Sequence, residues 1–338
     1  EGLTTLGHGE SWLLAPNQLG TDPRVWSPGI RDDVQPGSTF HRTEYFGPIL
    51  GVMHAKTLEQ AITWQNATDY GLTAGLHSLD SEEVNHWIDE VQAGNLYVNR
   101  GTTGAIVQRQ PFGGWKRSSV GTTAKAGGPN YLTHLGTWKP RALRQATRVK
   151  VLPEVESILE AAKSELTAAE LEELRLAACS DERAWKREYG VMKDVSGLGV
   201  ERNVFRYVPV PVTIRFDGFL FELVRVLLVA ARTGSTVTVS SRVPLPAGLV
   251  RGARIESHDD WLAHVAADRP ARVRLVGSDA KDVSVAVDGD PDVAIYSGPV
   301  TLSGRVEALP FLKEQAISIT NHRFGNHDAE FANVLPRV

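Results

Sequence analysis

The stretch "GPILGVMHAKTLEQAITWQNATDYGLTAGLHSLDSEEVNHWIDEVQAGNLYVNR", Gly47 to Arg100, decides the fold. Its first apolar run, "GPILGVMHA" (Gly47 to Ala55), predicts a strand after a Gly-Pro turn. "TLEQAITWQNAT" (Thr57 to Thr68) predicts a helix with Thr57 as N-cap and Gln60 in the capping-box position. "TAGLHSL" (Thr73 to Leu79) reads as a second strand. "SEEVNHWIDEVQA" (Ser81 to Ala93) reads as a second helix, capped by Ser81 and ended by Gly94. "NLYVNR" (Asn95 to Arg100) is a third strand. Strands joined through helices run parallel, because a tight hairpin can join only antiparallel neighbours; the fold class is therefore α/β.

Outward from that stretch, 338 residues are comfortable for two domains. With 42% hydrophobic and 22% charged residues, the composition is that of an ordinary globular protein. A net charge of -4 gives no reason to expect nucleic acid or an acidic membrane as partner. The strongest apolar run, "FLFELVRVLLVAA" (Phe219 to Ala231), falls short of the ~18 residues of a membrane span and carries Glu222 and Arg225; it predicts a buried helix. The single cysteine, Cys179, cannot form an internal disulfide and fits a reducing, cytoplasmic setting. The opening "EGLTTLGHGE" lacks an initiator Met, a basic n-region and an apolar h-region, so the expectation is a fragment or processed chain rather than a signal peptide.

The texture changes near "KPRALRQATRVKVLP" (Lys139 to Pro153), a basic linker or extended arm. Domains are expected at 1–140 and 141–338. In the second, "PEVESILEAAKSELTAAELEELRLAA" (Pro153 to Ala178) predicts two helices, broken at Ser164 to Leu166, with Thr167 capping the second. Strands follow at Val204 to Val210, Val212 to Phe216, Ser235 to Ser241, Ala271 to Gly277 and Val293 to Gly298.

Two segments invite a chemical reading. In "TEYFGPIL" (Thr43 to Leu50), alternation puts Glu44 and Phe46 on one side of an extended segment. A carboxylate there can accept bonds from two ribose hydroxyls while the ring packs on a flat heterocycle. The alternative is a surface Glu and a core Phe before a β-turn. In "GTTGAIVQRQPFGG" (Gly101 to Gly114), small residues can turn several backbone N–H groups toward one point, which suits a carboxylate. Phe112, set by Pro111 and two glycines, can fold back over the aliphatic part of a substrate; the alternative is a glycine-rich turn with a core Phe. Gly127-Gly128-Pro129 marks a chain reversal without chemistry.

Together "EYFGPIL", "NATDYGLTAGLHSLD", "GNLYVNRGTTGAIVQRQPFGGWKRS" and "AGGPNYL" stand in the order and spacing of the aldehyde dehydrogenase superfamily, and resemble the last part of its catalytic domain. "TTGAIVQRQPFGG" with "AGGPNYL" resembles L-glutamate-γ-semialdehyde (Δ1-pyrroline-5-carboxylate) dehydrogenases, especially the dehydrogenase module of the bifunctional proline utilization A flavoenzymes. Residues 141–338 are similar to the aldehyde-dehydrogenase-like, non-catalytic C-terminal domain of the longer members, with "LPFLKEQAISITNHRFGN" (Leu309 to Asn326) as its terminal motif.

This resemblance implies NAD-dependent oxidation of L-glutamate-γ-semialdehyde to glutamate. It implies that Glu44 binds the nicotinamide ribose and Phe46 packs near the nicotinamide. Gly104 and Ala105 would anchor the substrate α-carboxylate through their backbone, and Phe112 would cover its methylene chain. The family's nucleophilic Cys, general-base Glu and oxyanion Asn would precede residue 1, so this chain alone is expected to be inactive, with no catalytic residue of its own. FAD enters only if a proline dehydrogenase module lies upstream, a homo-oligomer is expected of the full-length protein, and residues 141–338 suggest a tunnel lid. A non-catalytic lid or structural protein of the same shape is the alternative. Ser119 stands where many members have Gly, which puts the local turn in question.

Two candidates remain outside the resemblance. Cys179, at the apolar end of a predicted helix, reads as a core thiol. The ten histidines form no His-x-x-x-His pair and no compact cluster with carboxylates, so no metal site is expected; the nearest approach is His322 and His327 with Asp328.

Overall fold

Gly47–Arg100 does fold into alternating strands and helices, but its first strand joins a sheet separate from the other two. The structure is a computed structural model and describes residues 1–122, 124–139, 141, 148–323, 326–327 and 334. Residues 140 and 142–147 of the Lys139 to Pro153 linker, part of the terminal motif, and Asp328 lie outside the described residues.

Strands β1 (Ser11–Leu14) and β2 (Gly29–Asp32) pair antiparallel. After the short helix α1 (Thr39–Arg42), β3 (Ile49–Gly51) runs parallel to β2 and completes a three-stranded sheet. Buried Arg31 ties the first residues to this sheet: it donates to Glu10 at 2.8 Å and to the Gly2 carbonyl, and its guanidinium lies 4.2 Å from the Phe40 ring centroid.

Helix α2 (Leu58–Asn66) starts at Thr57, whose hydroxyl accepts the Gln60 N–H at 3.2 Å. The Gln60 side chain accepts the Lys56 N–H at 2.7 Å, so the reciprocal bond reaches the residue before the cap. After β4 (Tyr70–Gly71) and β5 (Thr73–Leu76) comes α3 (Ser81–Glu90). Its N-cap is Asp80, not Ser81: the carboxylate accepts the Glu82 N–H at 2.8 Å and the Glu83 N–H at 3.4 Å. An ionised carboxylate also complements the positive helix end. The helix stops at Glu90 with Val91 extended, so Gly94 does not end it. Gly94 is instead a point of close approach: a Cβ there would lie 2.0 Å from the Gly113 carbonyl oxygen. Next, β6 (Asn95–Val98) runs parallel to β5, and β7 (Trp115–Lys116) pairs antiparallel with β4.

Beyond the linker, α4 (Pro153–Ala162) begins with proline, which lacks only an N–H that the first turn cannot bond. Thr167 and Glu170 form a full capping box for α5 (Ala168–Ala184), which runs past Ala178 into a π-helical turn at Trp185–Tyr189. There follow β8 (Glu201–Pro209), β9 (Val212–Phe216), α6 (Leu220–Thr233), β10 (Val237–Ser241) and β11 (Arg254–Ile255). The chain continues through α7 (His258–Asp268), β12 (Arg272–Val276), α8 (Ala280–Ala286), β13 (Ala294–Tyr296), α9 (Gly304–Glu307) and β14 (Leu312–Thr320).

Five of these strands make a parallel sheet in the order β11-β10-β9-β12-β13, a doubly wound arrangement. Helix α6 is apolar on most sides, and Leu223, Val226 and Leu228 pack with Ile214 and Val239 in the main core. Strand β14, inside the terminal motif, runs parallel to β6 and antiparallel to β8, giving the order β5-β6-β14-β8. That sheet draws strands from both sides of residue 140.

Candidate functional site

The turn at Thr43–Pro48 is set from within. Tyr45 stacks on Phe40 with ring centroids 5.1 Å apart, and the Gly47 N–H bonds to the Tyr45 carbonyl at 2.7 Å. Tyr45 is thereby partly buried, while Glu44 and Phe46 on either side of it are both exposed. Phe46 is 97% exposed, so the reading of it as a core residue is overturned. Among the described residues the Glu44 carboxylate has no hydrogen-bond or ion-pair partner. An unused acceptor beside an uncovered ring fits a sugar hydroxyl pair next to a flat heterocycle.

The loop after β6 is anchored at both ends. Asn99, at φ 57°, accepts the Ser78 N–H at 3.0 Å and donates to the Ser78 carbonyl at 2.8 Å. Arg100 donates to the Ser318 hydroxyl at 2.6 Å and pairs with Glu201 at 2.9 Å, which ties the loop to β14 and β8. At the other end, fully buried Asn95 donates to the Pro111 carbonyl at 3.1 Å and accepts the Gly113 N–H at 3.1 Å. Phe112 exchanges backbone bonds with Ala126 at 3.0 and 2.9 Å. These anchors fix the backbone while the Phe112 ring stays 41% exposed, again not a core position.

Between the anchors, Gly101 to Ala105 make no hydrogen bond through their backbone N–H groups among the described residues. Gly104 sits at φ +88°, where side chains are strained, and a Cβ there would meet nothing within 4 Å. Unbonded donors on an anchored, uncharged loop can hold a carboxylate. Gly104, Ala105 and Phe112 thus share one loop. Glu44 and Phe46 lie in the turn between α1 and β3, and no hydrogen bond or ring contact joins the two groups among the described residues. At Ser119 the turn closes through both its N–H and its hydroxyl, each bonded to the Lys116 carbonyl at 3.1 Å.

Sequence reading missed the polar junction beneath this loop. Lys125, 3% exposed, donates through Nζ to Asn95 at 2.9 Å and to the Gly113 carbonyl. Burial pulls its pKa down to about 7, against the pull of Glu314. Glu314 accepts the Lys125 backbone N–H at 2.7 Å and the Asn130 amide at 2.6 Å. Asn130 also donates to the Tyr207 hydroxyl at 2.9 Å and accepts from Arg305 at 2.5 Å. The segment around Gly127–Pro129 is the expected reversal, with the Gly128 N–H on the Lys125 carbonyl at 2.9 Å, but its flanking residues also bind the C-terminal half. No local pattern marks partners this far apart in sequence.

Two further expectations meet the structure here. Cys179 is 5% exposed in α5, with Sγ 3.5 Å from the Val149 N–H. The histidine reading needs a correction, because Asp32, Asp33 and His54 offer ligand atoms within 4.8 Å of one another. The His54 bond to Asp32, 2.7 Å long, raises the imidazole pKa and lowers that of the carboxyl. Asp32 ends β2 and His54 follows the neighbouring β3, 22 residues apart, which sequence spacing does not reveal. The trio is largely exposed.

Residues 2–140 match the aldehyde dehydrogenase family model. Bifunctional protein PutA of Rhizobium meliloti is 33% identical over 272 residues, 77% of this chain and 20% of that protein. The 1-pyrroline-5-carboxylate dehydrogenase of Oceanobacillus iheyensis is 45% identical over 107 residues, 32% of this chain and 20% of that protein. Proline Utilization A (PutA) from Corynebacterium freiburgense, a solved structure, is 44% identical with a TM-score of 0.79, covering 96% of this chain and 30% of that one. The chain therefore spans about a fifth of the length of the curated relatives it matches. Among the described residues no helix is long and apolar enough to cross a membrane.

Proposed function

We propose, from the premise that residues 2–140 belong to the aldehyde dehydrogenase family, that this chain is part of an NAD-dependent L-glutamate-γ-semialdehyde dehydrogenase. The whole protein would oxidise the semialdehyde to glutamate in proline catabolism. It would be bifunctional, with a flavin-dependent proline dehydrogenase module, and would act as a cytoplasmic homo-oligomer. The observation that carries the reading is similarity to a PutA across 96% of this chain, at 44% identity.

In this reading the chain positions reactants and does no covalent chemistry. The N–H groups of Gly104 and Ala105 hold the substrate α-carboxylate, and the Phe112 ring covers its methylene chain. Glu44 accepts the nicotinamide-ribose hydroxyls, and the exposed face of Phe46 packs beside the nicotinamide. NAD, when bound, supplies the hydride acceptor. Holding the aldehyde in one pose lowers the barrier by removing translational and rotational freedom before reaction. Cys179 is too buried to serve as nucleophile. Residues 141–338 serve as a non-catalytic α/β domain that covers the dehydrogenase part.

NADH formation from Δ1-pyrroline-5-carboxylate, measured on the native polypeptide captured by an antibody against this chain, tests the reading. Turnover by the native polypeptide and none by residues 1–338 alone is the expected result. A folded native polypeptide without turnover would overturn it and leave a lid or structural role.

A further inference from the structure

A cavity of ≈ 290 Å³ lies between the Gly113–Lys125 segment and strands β8, β12, β13 and β14. Its charge is lopsided. Lys125, Arg272 and Lys313 line it, with Glu314 as the only carboxylate among its lining residues. Both Glu314 oxygens are already engaged, one by the Lys125 backbone N–H and one by Asn130. Arg272 uses a single nitrogen for the carbonyls of Pro310 and Leu312, at 2.6 and 2.8 Å.

Lys313 is the cation least provided for. It is half-buried, and among the described residues its ammonium has neither an ion-pair nor a hydrogen-bond partner. It lies over the Trp115 ring, 5.4 Å from Nζ to centroid. Burial, with Arg272 and Lys116 nearby, pulls its pKa down to about 8. Trp115, Tyr207 and Tyr296 also line the cavity, and the burial that lowers the Lys313 pKa weakens solvent screening at that ammonium. A half-buried ammonium without an acceptor, beside a guanidinium whose carbonyl bonds all fall on one nitrogen, favours an anion between them.

We propose that this cavity binds a small multivalent oxyanion, a phosphate or a dicarboxylate, with Lys313 and Arg272 as its charged contacts and the aromatic rings as its walls. The site is separate from the Gly104–Ala105 loop and does not depend on the function proposed above. Anion binding also draws a proton onto Lys313 near pH 8. The other titratable or charged groups facing it are Lys116 on β7, Arg272 on β12, Glu314 on β14, Tyr207 on β8, Tyr296 on β13, and Lys125 and His134 of the connecting segment.

Isothermal titration of the native polypeptide with inorganic phosphate, and separately with succinate, tests the proposal. At least one should bind saturably, and which one tells phosphate from dicarboxylate. Lys313→Met should weaken that binding at least about tenfold, and Lys313→Arg should keep it. No saturable binding of either anion, or equal affinity in Lys313→Met, would overturn the site. Should Lys313→Met fail to fold, titration of the wild type at pH 8 in two buffers of different ionisation enthalpy decides. Net proton uptake is expected, and its absence counts against the site.

Discussion

The Glu314 carboxylate accepts the backbone N–H of Lys125 at 2.7 Å, across 189 residues of sequence. Its second oxygen accepts the Asn130 amide, so one side chain on β14 joins the segment after β7 to the C-terminal half. Glu314→Ala leaves both donors without their acceptor. We expect a loss of about 2–4 kcal/mol in urea unfolding, with a smaller loss for Glu314→Gln, which keeps one acceptor oxygen. A loss below about 0.5 kcal/mol for the alanine variant would show that the junction contributes little.

Stability should also depend on pH through Lys125. Its folded pKa, about 7, lies below the ordinary 10.5 because the side chain is buried. Between those values the unfolded chain binds the extra proton, so stability rises with pH across this window and is lowest below pH 7. The slope from this lysine is at most about 1.4 kcal/mol per pH unit. Chemical denaturation at several pH values should show this rise, and Lys125→Met should flatten it; an unchanged slope would refute the assignment.

Asp181 on α5 and Arg225 on α6 form a bidentate pair at 2.7 and 2.8 Å, both all but inaccessible to solvent. Burial raises the Asp181 pKa above the carboxylate range despite Arg225, and nearby Glu307 adds to the rise. Asp181→Ala should cost about 3–5 kcal/mol, because it leaves an unpaired buried guanidinium. Asp181→Leu combined with Arg225→Met should recover more than half of that loss in thermal or urea unfolding. Equal losses in the single and double variants would mean that packing, not the stranded charge, dominates.

Ala105→Asp places a second carboxylate beside the proposed anchor for the substrate's own. Like-charge contact of this kind costs several kcal/mol, so KM for the semialdehyde should rise about 100-fold in the native polypeptide, with a smaller change in kcat. Steady-state kinetics would read this directly, and an unchanged KM would remove Gly104 and Ala105 from the substrate site.

Local sequence pattern determined most of the elements. Thr57 and Thr167 cap the helices predicted for them, because a cap bonds to N–H groups two or three residues away. The displaced cap at Asp80 is a shift of one residue between two competent side chains. Alternation predicts Glu44 and Phe46 on one side, and both are exposed; the small residues of Gly101–Ala105 predict a loop that can turn backbone N–H groups outward. Tertiary structure alone decided the rest. Neither the seat of β14 between β6 and β8, nor the Lys125–Glu314 junction, nor the Asp32–His54 contact has a local signature. Strand neighbours and buried polar partners are chosen by which surfaces meet after the chain has folded back, and the partners of β14 lie more than a hundred residues away in sequence. The same holds for the burial that shifts Lys125 and Lys313, since only the packed fold removes water from a lysine that, read in sequence, is an ordinary surface charge.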